Sequence, residues 1–140
     1  MSGNIAIGIQ DFSTIIQGNY FYIDKTPFIK EWWDCGDSAT LITRPRRFGK
    51  TLTMSMVEQF FSIDYAGRSD LFEHLAIWKE EKYRELQGTY PVISLSFARI
   101  KERDYEKTKQ KMCEVLRNIY IKFCYIKDSE KLTDADRAYY

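Results

Sequence analysis

Arg44-Pro45-Arg46-Arg47-Phe48-Gly49-Lys50-Thr51 joins a short apolar run at 39–43 to a longer apolar segment at 51–63. A phosphate-binding loop needs this setting, with a buried strand before it and a buried helix after it. Gly49 lets the backbone approach a phosphate. The amides of residues 47–51 then point at the ligand from the helix N-terminus, with the helix dipole behind them. Lys50 is placed to reach the β- and γ-phosphates of a nucleotide, and the hydroxyl of Thr51 to ligate Mg²⁺. The spacing G-x-x-x-x-G-K-[ST] would put its first glycine at position 44, where this chain has Arg44. The match is therefore degenerate.

The flanking residues supply the expected fold. Ala39, Thr40, Leu41, Ile42 and Thr43 show no clean alternation, the pattern of a strand buried on both faces of a parallel sheet. Leu52, Met54, Met56, Val57, Phe60 and Phe61 make segment 51–63 apolar on most sides, which predicts a buried helix. Residues 91–97 read as a second strand, completing a strand–helix–strand crossover. Tyr20-Phe21-Tyr22-Ile23 reads as a further strand. Upstream of the loop, Asp24 is expected to cap a helix reaching Cys35, with Pro27 in its first turn and Gly36 at its end. A short surface helix is predicted near 79–86. Downstream, 104–125 has the clearest amphipathic period, with Tyr105, Met112, Leu116, Ile119 and Phe123 on one stripe. Thr133 and Asp136 have capping-box-like spacing for a helix beginning at Asp134. The expected fold class is α/β: a three-layer P-loop arrangement with a mainly parallel sheet.

Composition sets outer limits. At 140 residues, with 44% hydrophobic and 16% aromatic content, the chain has enough apolar surface for one domain core, and disorder is excluded. Twenty-one basic residues against 20 acidic ones give a net charge of +1, so any anion site must be local. Three cysteines without metal spacing favour a reducing cytoplasm. No run approaches the ~18 apolar residues of a membrane helix.

Gly8-Ile9-Gln10-Asp11-Phe12, Tyr22-Ile23-Asp24-Lys25-Thr26, Thr43 through Leu52, and Tyr90-Pro91-Val92-Ile93 with Leu95-Ser96-Phe97 occur in that order along nearly the whole chain. This set closely resembles the AAA-ATPase-like domain family, in which arginine normally stands where the first Walker glycine would be. The resemblance implies ATP or another purine nucleotide with Mg²⁺, bound through Arg47, Phe48, Gly49, Lys50 and Thr51, with Thr51 on the metal. It also implies a C-terminal nuclease-like domain of the PD-(D/E)XK class in full-length relatives. In the family, a strand ending in an Asp-Glu pair follows the long helix; no such strand occurs in residues 1–140. Hence 1–140 is expected to be the N-terminal portion of a P-loop domain, incomplete and truncated, with hydrolysis by this chain alone unexpected. Apolar surface meant for the missing elements would then leave the isolated chain poorly soluble or molten.

A different class of function competes with this one. Arg44, Arg46 and Arg47 could form a nucleotide-independent module that contacts nucleic acid or a protein partner. Asp24 and Lys25 occupy the place of a box that lies near the adenine in related ATPases; a helix cap and a surface charge explain them equally well. His74 reads as a surface residue, the three cysteines as small buried hydrophobes, and Trp32-Trp33 and Phe60-Phe61 as core.

Overall fold

The computed structural model describes residues 4, 5 and 7–139. They fall into two compact units, Met1–Val92 and Ile93–Tyr140.

The first unit is helical. Asp11 starts α1 (Phe12–Gln17) by accepting a hydrogen bond from the Thr14 amide at 2.8 Å. Helix α2 (Pro27–Cys35) has Pro27 in its first turn and ends at Gly36, as expected. Its start differs in detail from the expected cap. Thr26 holds the cap position, and Asp24 stands two residues before it, accepting from both the Thr26 amide and hydroxyl. Helix α3 (Lys50–Phe61) follows the loop. Only its C-terminal half is fully buried, at Met56, Gln59, Phe60 and Phe61, while Met54 faces solvent. The predicted surface helix near 79–86 is a 3₁₀ turn, Ala76–Lys79, followed by the one-turn α4 (Glu81–Arg84).

Aromatic packing holds this unit together. Phe60 packs edge-on against Phe72 and against Phe61, both with ring centroids 5.1 Å apart, and Phe12 stacks on Phe72 at 5.1 Å. Trp33 stacks on Phe61 at 5.3 Å. Such pairs contribute about 0.5–1.5 kcal/mol each beyond their burial. The end of α3 is closed from a distance. Gly88 and Tyr90 donate their amides to the carbonyls of Phe60 and Phe61, each at 2.8 Å, satisfying acceptors that a helix C-terminus leaves open. Gly88 has φ +67°, and a Cβ there would lie 2.6 Å from the Ala66 Cα, so only glycine fits.

The expected parallel sheet is not formed. Among the described residues the only β pairing is one parallel bridge, Ser62 to Tyr90. Residues 20–23, 39–43 and 91–97 form no ladder, although the Phe21 amide donates to the Asn4 carbonyl at 3.0 Å. The α/β three-layer fold read from the sequence is therefore corrected to a helical one. Strand propensity measures how well a residue suits a pleated, half-buried surface, and neighbouring strands must supply that surface. Here they do not, and Leu41 is 84% exposed and Phe97 47%. The cysteines depart from expectation too, since Cys35, Cys113 and Cys124 are all free and exposed. His74 is exposed, as read. Phe60 and Phe61 are core, and Trp32 and Trp33 pack against it.

The second unit contains α5 (Tyr105–Lys122) and α6 (Asp134–Tyr139). Asp104 caps α5 through the amides of Glu106 and Lys107. The predicted stripe exists as periodicity but is not buried along α5: Tyr105 is 74% exposed, and only Phe123, just past the helix, is covered. Thr133 and Asp136 form the expected reciprocal cap of α6, with the Asp136 carboxylate accepting from the Thr133 amide at 3.0 Å and Asp136 donating its own amide to the Thr133 hydroxyl at 3.2 Å. Arg137 fastens α6 to the preceding turn through the carbonyls of Lys127 and Ser129.

Candidate functional site

The loop at 44–51 borders an open cleft of about 990 Å³ within the first unit. Its lining combines apolar Ile7, Ile9, Ile15, Phe21, Ile23 and Leu52 with the cations Lys25, Arg46, Arg47 and Lys50. A volume of this size and a mostly apolar lining with a few polar groups are typical of small-molecule sites.

The backbone of the loop turns sharply twice. Arg47 has φ +69°, uncommon for a residue with a side chain, and Gly49 has φ +75° and ψ +23°. Left-handed backbone at a non-glycine costs about 1–2 kcal/mol, so Arg47 is held there by its surroundings. Gly49 is the cap residue of α3, and the next residue is already right-handed helix. A left-handed residue followed by a right-handed one turns successive amides into a shared concavity that suits an anion. No side chain caps α3. The helix interior starts with the Thr53 amide donating to the Gly49 carbonyl at 2.8 Å, backed by the Thr53 hydroxyl at 3.0 Å.

Both lysines at the loop hold its carbonyls. Lys50, the first helical residue, reaches back and donates to the carbonyl of Arg44. Lys25 comes from outside the loop and donates to the carbonyl of Phe48 at 3.0 Å. Among the described residues neither lysine, nor Arg44, Arg46 or Arg47, is paired with a carboxylate. Lys30, Arg68, Lys82 and Lys111 each have one. The loop thus concentrates uncompensated positive charge in a nearly neutral chain.

Arg47, Phe48, Gly49, Lys50 and Thr51 all line the cleft. The Phe48 ring is 61% exposed beside it. The Thr51 hydroxyl has no hydrogen-bond partner among the described residues, and no group of three or more His, Cys, Asp or Glu stands together there. Two parts of the site were not legible. Phe21 and Ile23, which the sequence reads as strand, line the cleft beside Ile7 and Ile9, and Lys25 reads from sequence only as a surface charge or part of an adenine box. Neither has a periodic signal linking it to a loop more than 20 residues away.

Asp11 organises the other side of α1. Its carboxylate accepts from the Ser13 and Thr14 hydroxyls at 2.6 Å and from the buried Gln59 amide at 2.6 Å. Burial pushes this carboxyl up, but the hydrogen bonds from Ser13, Thr14 and Gln59 outweigh burial and hold it below the usual carboxylate value. The Phe12 amide donates to the Ser55 hydroxyl at 3.1 Å, so α1 is fixed to the helix that carries the loop.

Residues 6–139 match the AAA-ATPase-like family, described as "Predicted AAA-ATPase". The chain belongs to this family of ATPase-like proteins. It is also similar to an "Uncharacterized protein in vnfD 5'region" from Azotobacter chroococcum mcd 1, at 33% identity over 113 residues, 80% of this chain. The chain spans about 20% of that relative's length. No solved structure matches. No helix among the described residues is long and apolar enough to cross a membrane.

Proposed function

We propose that this chain binds a purine nucleotide, ATP foremost, through Arg47, Phe48, Gly49, Lys50 and Thr51. The observation that carries this reading is the left-handed turn at Gly49, which opens the uncapped start of α3 onto a cleft with unpaired cations. The apolar lining residues would take the base and the loop the phosphates. Family membership supports nucleotide use at the level of the whole family.

The polyphosphate fits the residues present: a concave run of amides, and cations with no carboxylate competing for them. For Mg²⁺ the chain offers less. Mg²⁺ usually keeps several waters and binds through one or two carboxylates plus substrate phosphates. Thr51 supplies one free hydroxyl oxygen, and the described residues add no carboxylate cluster. Thr51 would therefore hold the ion only together with nucleotide phosphates, and hydrolysis is not assigned to these residues. Lys50 would exchange the Arg44 carbonyl for a phosphate oxygen, a stronger acceptor because it is charged.

Isothermal titration of the chain and of Lys50→Ala with ATP tests this. A hydrogen bond to a charged group contributes about 1.5–3 kcal/mol, so the variant should bind roughly 10- to 150-fold more weakly. Unchanged affinity in the variant, or no ATP binding by the parent chain, would refute the proposal. If DNA binding is found instead and falls with Arg46→Ala and Arg47→Ala, the loop serves nucleic acid.

A further inference from the structure

Lys25 lies 23 residues before Phe48 in the chain, yet its ammonium sits directly over the turn that defines the site. A Cβ built on Gly49 would lie 2.7 Å from Lys25 Nζ. The missing side chain at 49 therefore does two things: it permits the left-handed backbone, and it leaves the space that the Lys25 ammonium occupies. One of the three ammonium donors goes to the Phe48 carbonyl, and Lys25 has no carboxylate partner among the described residues.

The placement of Lys25 is enforced by buried neighbours. Its amide donates to the Tyr22 hydroxyl at 3.3 Å, and that hydroxyl donates to the Met56 sulfur at 3.3 Å, in the buried part of α3. Burial pushes the Tyr22 phenol up to about 12, so it remains a neutral donor. On the other side, buried Thr26 accepts from the Ile77 amide at 3.2 Å, and Asp24 accepts from the Ala76 amide at 2.7 Å. The Lys25 backbone is thus fixed to the same helix whose N-terminus begins at the loop. Its ammonium is held at the loop before any ligand arrives, which lowers the entropy lost on binding.

We infer that Lys25 is a second cationic ligand of the anion in this cleft, acting with Lys50 and selecting ligands with more than one phosphate. This rests on the nucleotide reading above. The two ammoniums hold opposite ends of the loop, Lys50 at the Arg44 carbonyl and Lys25 at the Phe48 carbonyl. A single phosphate satisfies one of them; a di- or triphosphate offers charged oxygens to both. Each ammonium then trades a peptide carbonyl for a charged acceptor.

Two measurements on the full chain decide the matter. In the first, amine acetylation is mapped by mass spectrometry with and without tripolyphosphate or ATP, with exposed Lys109 and Lys131 as references. Both Lys25 and Lys50 should become several-fold less reactive, while the references do not change. In the second, Lys25→Met, which keeps the apolar stem, should weaken ATP binding by roughly 10- to 100-fold and AMP binding much less. Lys25→Arg should restore most of it. Protection of Lys50 without Lys25, or Lys25→Met binding ATP like the parent, overturns this inference and leaves the nucleotide reading intact. Protection of neither lysine, with no ATP binding, overturns both. The acetylation arm uses the unmodified sequence and so stands even if Lys25→Met fails to fold.

Discussion

Replacing Asp11 by alanine should destabilise the first unit by about 2–4 kcal/mol. Two losses combine. The first is the cap of α1, whose removal costs about 0.5–2 kcal/mol. The second is the 2.6 Å charged acceptor for the amide of Gln59, which is 2% exposed; losing such a bond costs about 1.5–3 kcal/mol. Gln59 would keep its 3.2 Å bond to Ser55, which limits the total. For a unit of this size each kcal/mol lowers the melting temperature by about 4–8 °C. Asp11→Asn should cost less, about 1 kcal/mol. It retains an acceptor for the cap, and its own amide can donate to Gln59 Oε1, a buried oxygen with no partner, once the Gln59 amide turns over. The pH dependence has a fixed sign. The folded-state value of Asp11 lies below its unfolded value, so its contribution is complete above the ordinary carboxylate pKa of about 3.9. That contribution is lost as pH falls through the depressed folded value. Urea unfolding followed by tryptophan fluorescence reports this unit, because Trp32 and Trp33 pack against its core. The gap between parent and Asp11→Ala should be constant from pH 7 to about 5 and should shrink below about 4. A gap under about 0.5 kcal/mol at pH 7, or one that persists unchanged to pH 3, would refute this account of the α1–α3 junction.

Two further substitutions separate packing from the site. Phe60 is fully buried against Phe61 and Phe72, so Phe60→Ala should cost about 3–5 kcal/mol; a chemical-denaturation loss below about 1 kcal/mol would contradict the described core. Gly49→Ala should cost about 1–2 kcal/mol in stability for its left-handed backbone. It should also displace the Lys25 ammonium, so ATP affinity should fall while the α3–core contacts persist. Titration showing parent-like affinity with a parent-like melting curve would remove both the turn and Lys25 from the site.

Local chemistry was legible residue by residue. Pro27 and Gly36 bound α2, and the spacing of Thr133 and Asp136 marks the start of α6. These features depend on atoms within a few positions of one another, so the sequence contains both partners. The loop was legible for the same reason: Arg47 to Thr51 are consecutive, and Gly49 is the residue a left-handed turn before a helix requires. The identity of α3 was readable from its apolar content, but not which half is buried, because that depends on what packs against it.

The sequence alone settled the existence of α2, α3, α5 and α6, the family signature and the concentration of charge at 44–50. Tertiary structure decided what depends on remote partners. Residues 39–43 and 91–97 have strand-like composition, yet a strand exists only where a neighbouring backbone accepts its hydrogen bonds, and among the described residues none does. The stripe on α5 has the right period, but a period shows which residues share a face and not whether anything covers it. Lys25 reaches Gly49 only because Tyr22, Asp24 and Thr26 are tied to Met56, Ala76 and Ile77. A side chain brought over 23 residues to within 3.0 Å of a loop carbonyl is a product of packing, and no local pattern in the chain encodes it.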